Sequence, residues 1–186
     1  MKKLFCLALI TLLIGCNTEQ EKNTGSASNE VIEIDAEKRL AELDIELPQV
    51  SAPVANYVNA VRSGNLLFLA GKGPRKADGD YITGKVGTDL SQEEGQEAAR
   101  LTAINQLAVL KAELGDLNRV KRIVKVTGMV NCAPDFGNQP EVINGFSDLM
   151  VEVFGEKGKH ARAAVGMASL PRNIAVEIEM IVEIEN

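Results

Sequence analysis

The stretch Lys159–Glu185, KHARAAVGMASLPRNIAVEIEMIVEIE, decides how the rest of the chain is read. It predicts a strand, a turn at Leu170-Pro171-Arg172-Asn173, and a long second strand. In the second strand Val176, Ile178, Met180, Val182 and Ile184 fall on one side. Glu177, Glu179, Glu183 and Glu185 fall on the other, with Ile181 interrupting the acidic row. A period of two with one apolar side marks a sheet strand covered on a single face. The strand before it puts Arg162, Ala164, Gly166 and Ala168 at its even positions. Such a row of small residues admits another surface, and the arginine fork at its head matches a carboxylate. The same pattern also fits an ordinary strand with one edge arginine.

Working back along the chain, Pro140 stands just inside a helix that ends at Gly155. Ile143, Phe146, Leu149, Met150, Val153 and Phe154 form its buried side. A loop, Asn131–Asn138, and a β-branched strand from Arg122 to Val130 precede it. Ser91 and Glu94 make a capping box for an earlier helix, which Gly115 stops. Leu101, Ile104, Leu107, Ala108, Leu110 and Leu114 give that helix a wide apolar stripe. Two strands, 54–61 and 66–70, are joined through Arg62-Ser63-Gly64-Asn65, where glycine and asparagine tolerate positive φ. The order is β-β-α-β-α-β-β, with two amphipathic helices able to cover one face of a mixed sheet. That predicts a two-layer α+β domain whose other sheet face meets solvent or another chain.

Between strand and helix lies a glycine-rich loop, residues 71–90, GKGPRKADGDYITGKVGTDL. Gly71-Lys72-Gly73 after a strand raises a phosphate-loop reading. Neither a Walker nor a dinucleotide spacing is present, and no Lys-Ser/Thr pair opens the helix.

Arg162 followed by Leu170-Pro171 and then Val176-Glu177-Ile178-Glu179 resembles the C-terminal signature of the RidA (YjgF/YER057c/UK114) family. The likeness runs from Tyr57 to Glu185 and includes the Gly64–Gly71 strand and a helix containing Asn144. GFSDLM and HARAAVG resemble the longer branch of that family. The resemblance implies a chorismate-mutase-like fold and a homotrimer with three clefts between subunits. It also implies hydrolysis of reactive 2-imino or enamino acids to 2-oxo acids and ammonia, with no cofactor and no metal. On this likeness Arg162 clamps the substrate carboxylate and Glu177 positions the hydrolytic water. Tyr57, Gly71 (through its backbone amide), Asn144 and Ala164 fall on positions lining the cleft. Two departures stand out: Ala70-Gly71-Lys72 replaces a common Ser-Gly-Gln, and Ala164 replaces a frequent cysteine. Lys72 either adds charge for an acidic substrate or fills the cleft. His160, the lone histidine, reads as a loop residue. Glu177 also fits a solvated glutamate row, and Tyr57 and Asn144 also fit packing or capping roles.

At 186 residues the chain holds one domain and a tail, enough for a core without disulfide staples. Cys6, Cys16 and Cys132 form neither a disulfide framework nor a zinc cluster, and Cys132 reads as a buried small hydrophobe. Residues 1–16, MKKLFCLALITLLIGC, combine a basic start with an apolar run too short to span a bilayer. Leu13-Ile14-Gly15-Cys16 resembles a bacterial lipobox, which implies acylation of Cys16 and a place in the cell envelope, periplasmic in a Gram-negative cell. An ordinary secretory signal also fits. Residues 17–50 then read as a tether with a short helix within 34–43 capped by Asp35, and residues 51–186 as the domain.

The net charge is −6, and removal of residues 1–16 with Lys2 and Lys3 takes it to −8. With no tryptophan and two tyrosines, this chain repels nucleic acid and offers it few stacking rings. Membrane contact is expected only through the lipid. Two classes of function remain: a deaminase of small imino acids, or a non-catalytic trimeric module binding a small carboxylate or a protein.

Overall fold

The computed structural model describes residues 34–53 and 55–185. The expected signal segment, Cys16 and tether residues 17–33 lie outside the described residues. The helices are α1 (Ala36–Glu42), α2 (Gln92–Leu114) and α3 (Gln139–Phe154). The strands are β1 (Ala60–Ser63), β2 (Leu66–Lys72), β3 (Val120–Asn131), β4 (Ala161–Met167) and β5 (Val176–Ile184). They form one sheet in the order β1-β2-β5-β3-β4, antiparallel except for the β3–β4 pair.

The period-two reading of β5 holds residue by residue. Val176, Ile178, Met180, Val182 and Ile184 are buried, and they pack with α2 and α3 in the core. Helix α2 starts where the capping box puts it: Ser91 Oγ accepts from Glu94 N, and the Glu94 carboxylate accepts from Ser91 N. It stops at Gly115, whose φ of +76° closes the helix. Its buried stripe is rotated from the expected one. Leu101 and Ile104 are only partly buried, while Ala98, Ala99 and Ala103 are fully covered. Small residues win these positions because α2 and α3 nearly touch. A Cβ on Gly145 of α3 would lie 2.1 Å from the carbonyl oxygen of Gln96 on α2.

Strand β1 begins later than expected, and the turn shortens to Gly64-Asn65. Gly64 takes φ +62°, the positive value that the first central residue of a type II′ hairpin turn requires. The glycine-rich loop is stitched to the sheet rather than open to a phosphate. Val86 N donates to Asn131 O (2.8 Å), and Ala175 N donates to Ile82 O (3.0 Å). Cys132 is buried at the end of β3, as a small hydrophobe would be.

The segment expected as tether is, from residue 34, part of the compact fold. Asp35 caps α1, accepting from Glu37 N and Lys38 N. Ala36 and Leu40 are buried, and Glu37 accepts from Lys111 Nζ (2.7 Å) and Leu117 N (2.8 Å). One apolar edge of a seven-residue helix is too small a signal in sequence to show that it docks.

Strands β4 and β5, consecutive in sequence, are not neighbours in the sheet; β3 runs between them. Ala164, Gly128 and Ile178 share one row across the sheet, and Ile178 is buried. The row of Arg162, Ala164 and Gly166 therefore faces α3, not an uncovered surface. A Cβ on Gly166 would meet Gln139 Nε2 at 2.7 Å and Cys132 Sγ at 2.9 Å. The open face of the sheet carries the alternate residues instead, including Val165 (42% exposed) and Phe68 (41%).

Candidate functional site

The residues singled out in the sequence assemble into two walls on opposite sides of the sheet. Arg162 stands at the head of β4 on the helix-facing side. Its Nη1 donates to Asn144 Oδ1 (2.9 Å) and Ser147 Oγ (3.0 Å). Asn144 and Ser147 sit three apart on α3, so both reach the same neighbour. His160 completes the arrangement: Nδ1 lies 2.6 Å from Gly158 O, and Nε2 lies 3.0 Å from Ser147 Oγ. A carbonyl only accepts, so Nδ1 carries the proton and Nε2 accepts from the serine hydroxyl. That turns a lone pair of Ser147 toward Arg162. Burial, opposed by the hydrogen bond to Gly158 O and aided by the Arg162 charge, holds the His160 pKa below its usual value and favours the neutral ring. Among the described residues, the Nε and Nη2 of Arg162 have no protein partner. The guanidinium is anchored at one nitrogen and free at the others, and Ala164 lies beside it on the same face of β4.

The second wall is built by an irregularity between β2 and β5. Leu69 pairs with Met180, but Lys72 pairs with Ile178, so Ala70 and Gly71 together stand opposite Glu179. Such a bulge disturbs the ladder and bends its strand. Gln106, fully buried in α2, sends its Nε2 to Ala70 O (3.0 Å) and Ile178 O (2.8 Å), tying both strands to the helix. The bend sets Gly71 against Glu177, where a Cβ would lie 2.4 Å from Glu177 Oε1. Glu177 and Gly71 border a cavity of about 790 Å³ that Tyr57 also lines. Partial burial, and then the neighbouring Glu179, raise the Glu177 pKa above the usual carboxylate value. Lys72 lies in this wall with its ammonium 2.5 Å from Asn59 Oδ1, and burial lowers its pKa.

Glu177 shares its row with Met129 and Val165, one residue out of step with Ala164 and Arg162. One chain therefore holds Arg162, Asn144 and Ala164 on one face, and Glu177 with Gly71 on the other. The structure does not bring the two groups together within a chain.

Sequence reasoning missed Ser147, although it stands one helical turn from Asn144. It missed Arg75 and Arg172, which also line the cavity, because loop residues carry no period to place them. Gln106 was missed for a different reason: a polar residue in an apolar stripe gives no hint of which strand carbonyls it will reach.

Two substitutions follow from this wall. Gly71→Ala is expected to push the Glu177 carboxylate aside and lower any turnover that depends on it, with the melting temperature nearly kept. An unchanged rate would show that the close packing of Gly71 on Glu177 is immaterial. Glu177→Gln is expected to raise stability near neutral pH. The raised pKa means that the folded state favours the protonated acid. Its stabilisation is full below the usual value of 4.5 and is lost as pH rises through the raised value. The gain from glutamine should therefore appear above that pH and vanish in acid, which thermal melts across pH would show.

A family model described as "YjgF/chorismate_mutase-like, putative endoribonuclease" matches residues 37–184. Protein TCP17 of Trypanosoma cruzi is 47% identical over 148 residues, covering 79% of this chain and 92% of the relative. A 2-iminobutanoate/2-iminopropanoate deaminase of Dermatophagoides farinae is 33% identical over 142 residues, 76% of this chain and 95% of its own. The crystal structure of a protein of unknown function from Agrobacterium tumefaciens matches with a TM-score of 0.74 and 49% identity. It spans 81% of this chain and 94% of its own. The two-layer α+β architecture is the one these relatives share.

Proposed function

This chain belongs to the YjgF/RidA family, and from that premise we propose that it hydrolyses small 2-imino or enamino acids to 2-oxo acids and ammonia. The observation that carries the reading is the Arg162 guanidinium, anchored through Nη1 and free at Nε and Nη2 for a carboxylate. Glu177 supplies the other half. With its pKa raised above the usual carboxylate value by burial, it takes a proton from water as the oxygen attacks C2 of the imine. That proton passes to the imine nitrogen to give a carbinolamine; the proton of its new hydroxyl then follows, the C–N bond breaks as the C=O forms, and ammonia leaves with a 2-oxo acid behind. Arg162 fixes the distance and direction of that attack.

Because Arg162 and Glu177 lie on opposite faces of one sheet, the proposed site takes Arg162 from one subunit and Glu177 from the next. The open sheet face, with Phe68, Ile181 and Val165, is the surface we assign to the homotrimer. An endoribonuclease activity finds little support in this chain. The chain is acidic, and its one histidine is held between Ser147 and Gly158.

The test couples an amino-acid dehydratase to the purified protein and follows 2-oxo acid above the spontaneous rate. Acceleration supports the deaminase. Binding of a carboxylate without acceleration would instead favour a non-catalytic module. Light scattering on residues 27–186 reads the assembly, and a monomer mass would remove the shared cleft.

Envelope attachment through Cys16 is likewise proposed, on the lipobox alone. Cys16→Ser is expected to leave unprocessed or soluble protein. Material of mature size in the membrane fraction would show that the anchor lies elsewhere.

A further inference from the structure

The cavity beside Glu177 is larger and more basic than a three- or four-carbon imino acid requires. Its volume of about 790 Å³ lies toward the upper end of the range for drug-sized ligands, about 300–1,000 Å³. Lys72, Arg75 and Arg172 line it, and among the described residues Glu177 is its one acidic lining residue. A local excess of positive charge thus stands in a chain whose net charge is −6.

These cations are not committed to structural ion pairs. No salt bridge among the described residues uses any of the three. Lys72 reaches only the neutral oxygen of Asn59. The guanidinium groups of Arg75 and Arg172 have no partner among the described residues. Their backbones, by contrast, are fixed. Arg75 O accepts from Asn105 Nδ2 of α2 (3.0 Å), and Arg75 bridges to Tyr81. Gly79, at φ +99°, leaves room for the head group, since a Cβ there would stand 3.2 Å from Arg75 Nη2. Arg172 sits at φ +55°, a costly conformation for a residue that carries a Cβ. Asn173 beside it is also left-handed and is pinned by Asn131 Nδ2 on its Oδ1 (3.0 Å). Two unpaired guanidinium groups on pinned backbone, beside a half-buried lysine, form a receptor for an anion.

We propose that this cavity is a subsite for a second acidic group. The preferred substrate is then a 2-imino acid whose side chain ends in a carboxylate. The inference rests on the deaminase reading for its chemistry. Arg162 takes the carboxylate next to the imine, and Lys72, Arg75 and Arg172 take the distal one. Glu177 meets C2 between them.

The test uses the full-length protein and two imines made in place by an amino-acid oxidase, one from glutamate and one from alanine. The expected result is a kcat/KM at least about tenfold higher for the glutamate-derived imine, the scale of one charge-assisted contact. The Arg75→Gln/Arg172→Gln double variant should reduce that ratio by a similar factor. Arg172→Gln alone, at an exposed position, covers the case in which the double variant does not fold. An equal or reversed preference, or a ratio that the variants leave unchanged, overturns the subsite.

If neither imine is accelerated, the deaminase reading fails, and calorimetric titration decides the subsite separately. Glutarate binding more tightly than butyrate, and weakened by Arg172→Gln, supports it. Equal binding of the two acids, or none, overturns it.

Discussion

Arg162→Ala is expected to lower kcat/KM for a small 2-imino acid by about ten- to a hundredfold, the worth of a paired charged contact. Two effects add in the same direction. The substrate loses the Nε and Nη2 donors, and Asn144 Oδ1 and Ser147 Oγ lose the cation that aligned them. Arg162→Lys separates charge from geometry. Lysine brings a point charge but no planar fork, so its rate should fall between wild type and alanine. The measurement is the initial rate of 2-oxo acid appearance above the spontaneous reaction. A wild-type rate in Arg162→Ala would remove the clamp from the mechanism. Stability should change little, because β4 is an edge strand and Arg162 is only partly buried.

Gly145→Ala is expected to be among the most damaging changes to the fold itself. The added carbon would lie 2.1 Å from Gln96 O and 3.0 Å from Gln96 C. These are backbone atoms of α2, so no rotamer can relieve the overlap and the two helices must separate. Overpacking of a tight core costs about 1–3 kcal/mol, and a backbone clash falls at the upper end. For a domain of this size that corresponds to a fall in melting temperature of roughly 6–12 °C. Gly137→Ala is the control: nothing lies within 4 Å of its added carbon, and its backbone has no positive φ. If the two variants melt together, the helix contact is looser than the structure shows.

What could be read in the sequence was what repeats or what caps. Strand β5 declared itself by five alternating apolar residues. Helix α2 declared itself by a serine and a glutamate three apart, and α3 by Pro140 and its run of large side chains. These signals act over a few residues and need no distant partner. The pairing of β4 with β3 instead of β5 depends on contacts far apart in sequence, and the period of a strand does not say which neighbour it chooses. For the same reason the small-residue row could be seen but not assigned to a face. The candidate site was legible as a set of residue types, since Arg162 and Glu177 stand out by their neighbours. Its division between two faces was not. That depends on a one-residue difference in step between β4 and β5, fixed only when both pair with β3. Arg75 and Arg172 stayed invisible because an irregular loop brings them to the cavity, and Gln106 because a bulge creates the carbonyls it binds.

The separation of Arg162 and Glu177 onto opposite faces has a consequence for inheritance. In the proposed trimer each chain lends one wall to each of two neighbours, so no cleft belongs to a single polypeptide. A chain altered at Arg162 still carries an intact Glu177 wall, and a chain altered at Glu177 still carries an intact Arg162 wall. Two inactive alleles expressed in one cell would then restore working clefts wherever the two intact walls meet. A single chain altered at both residues would instead spoil two clefts of a trimer with two wild-type partners and leave one sound. The unit on which selection acts for catalysis would be the junction between chains, and the dominance of an allele would depend on how many walls it breaks.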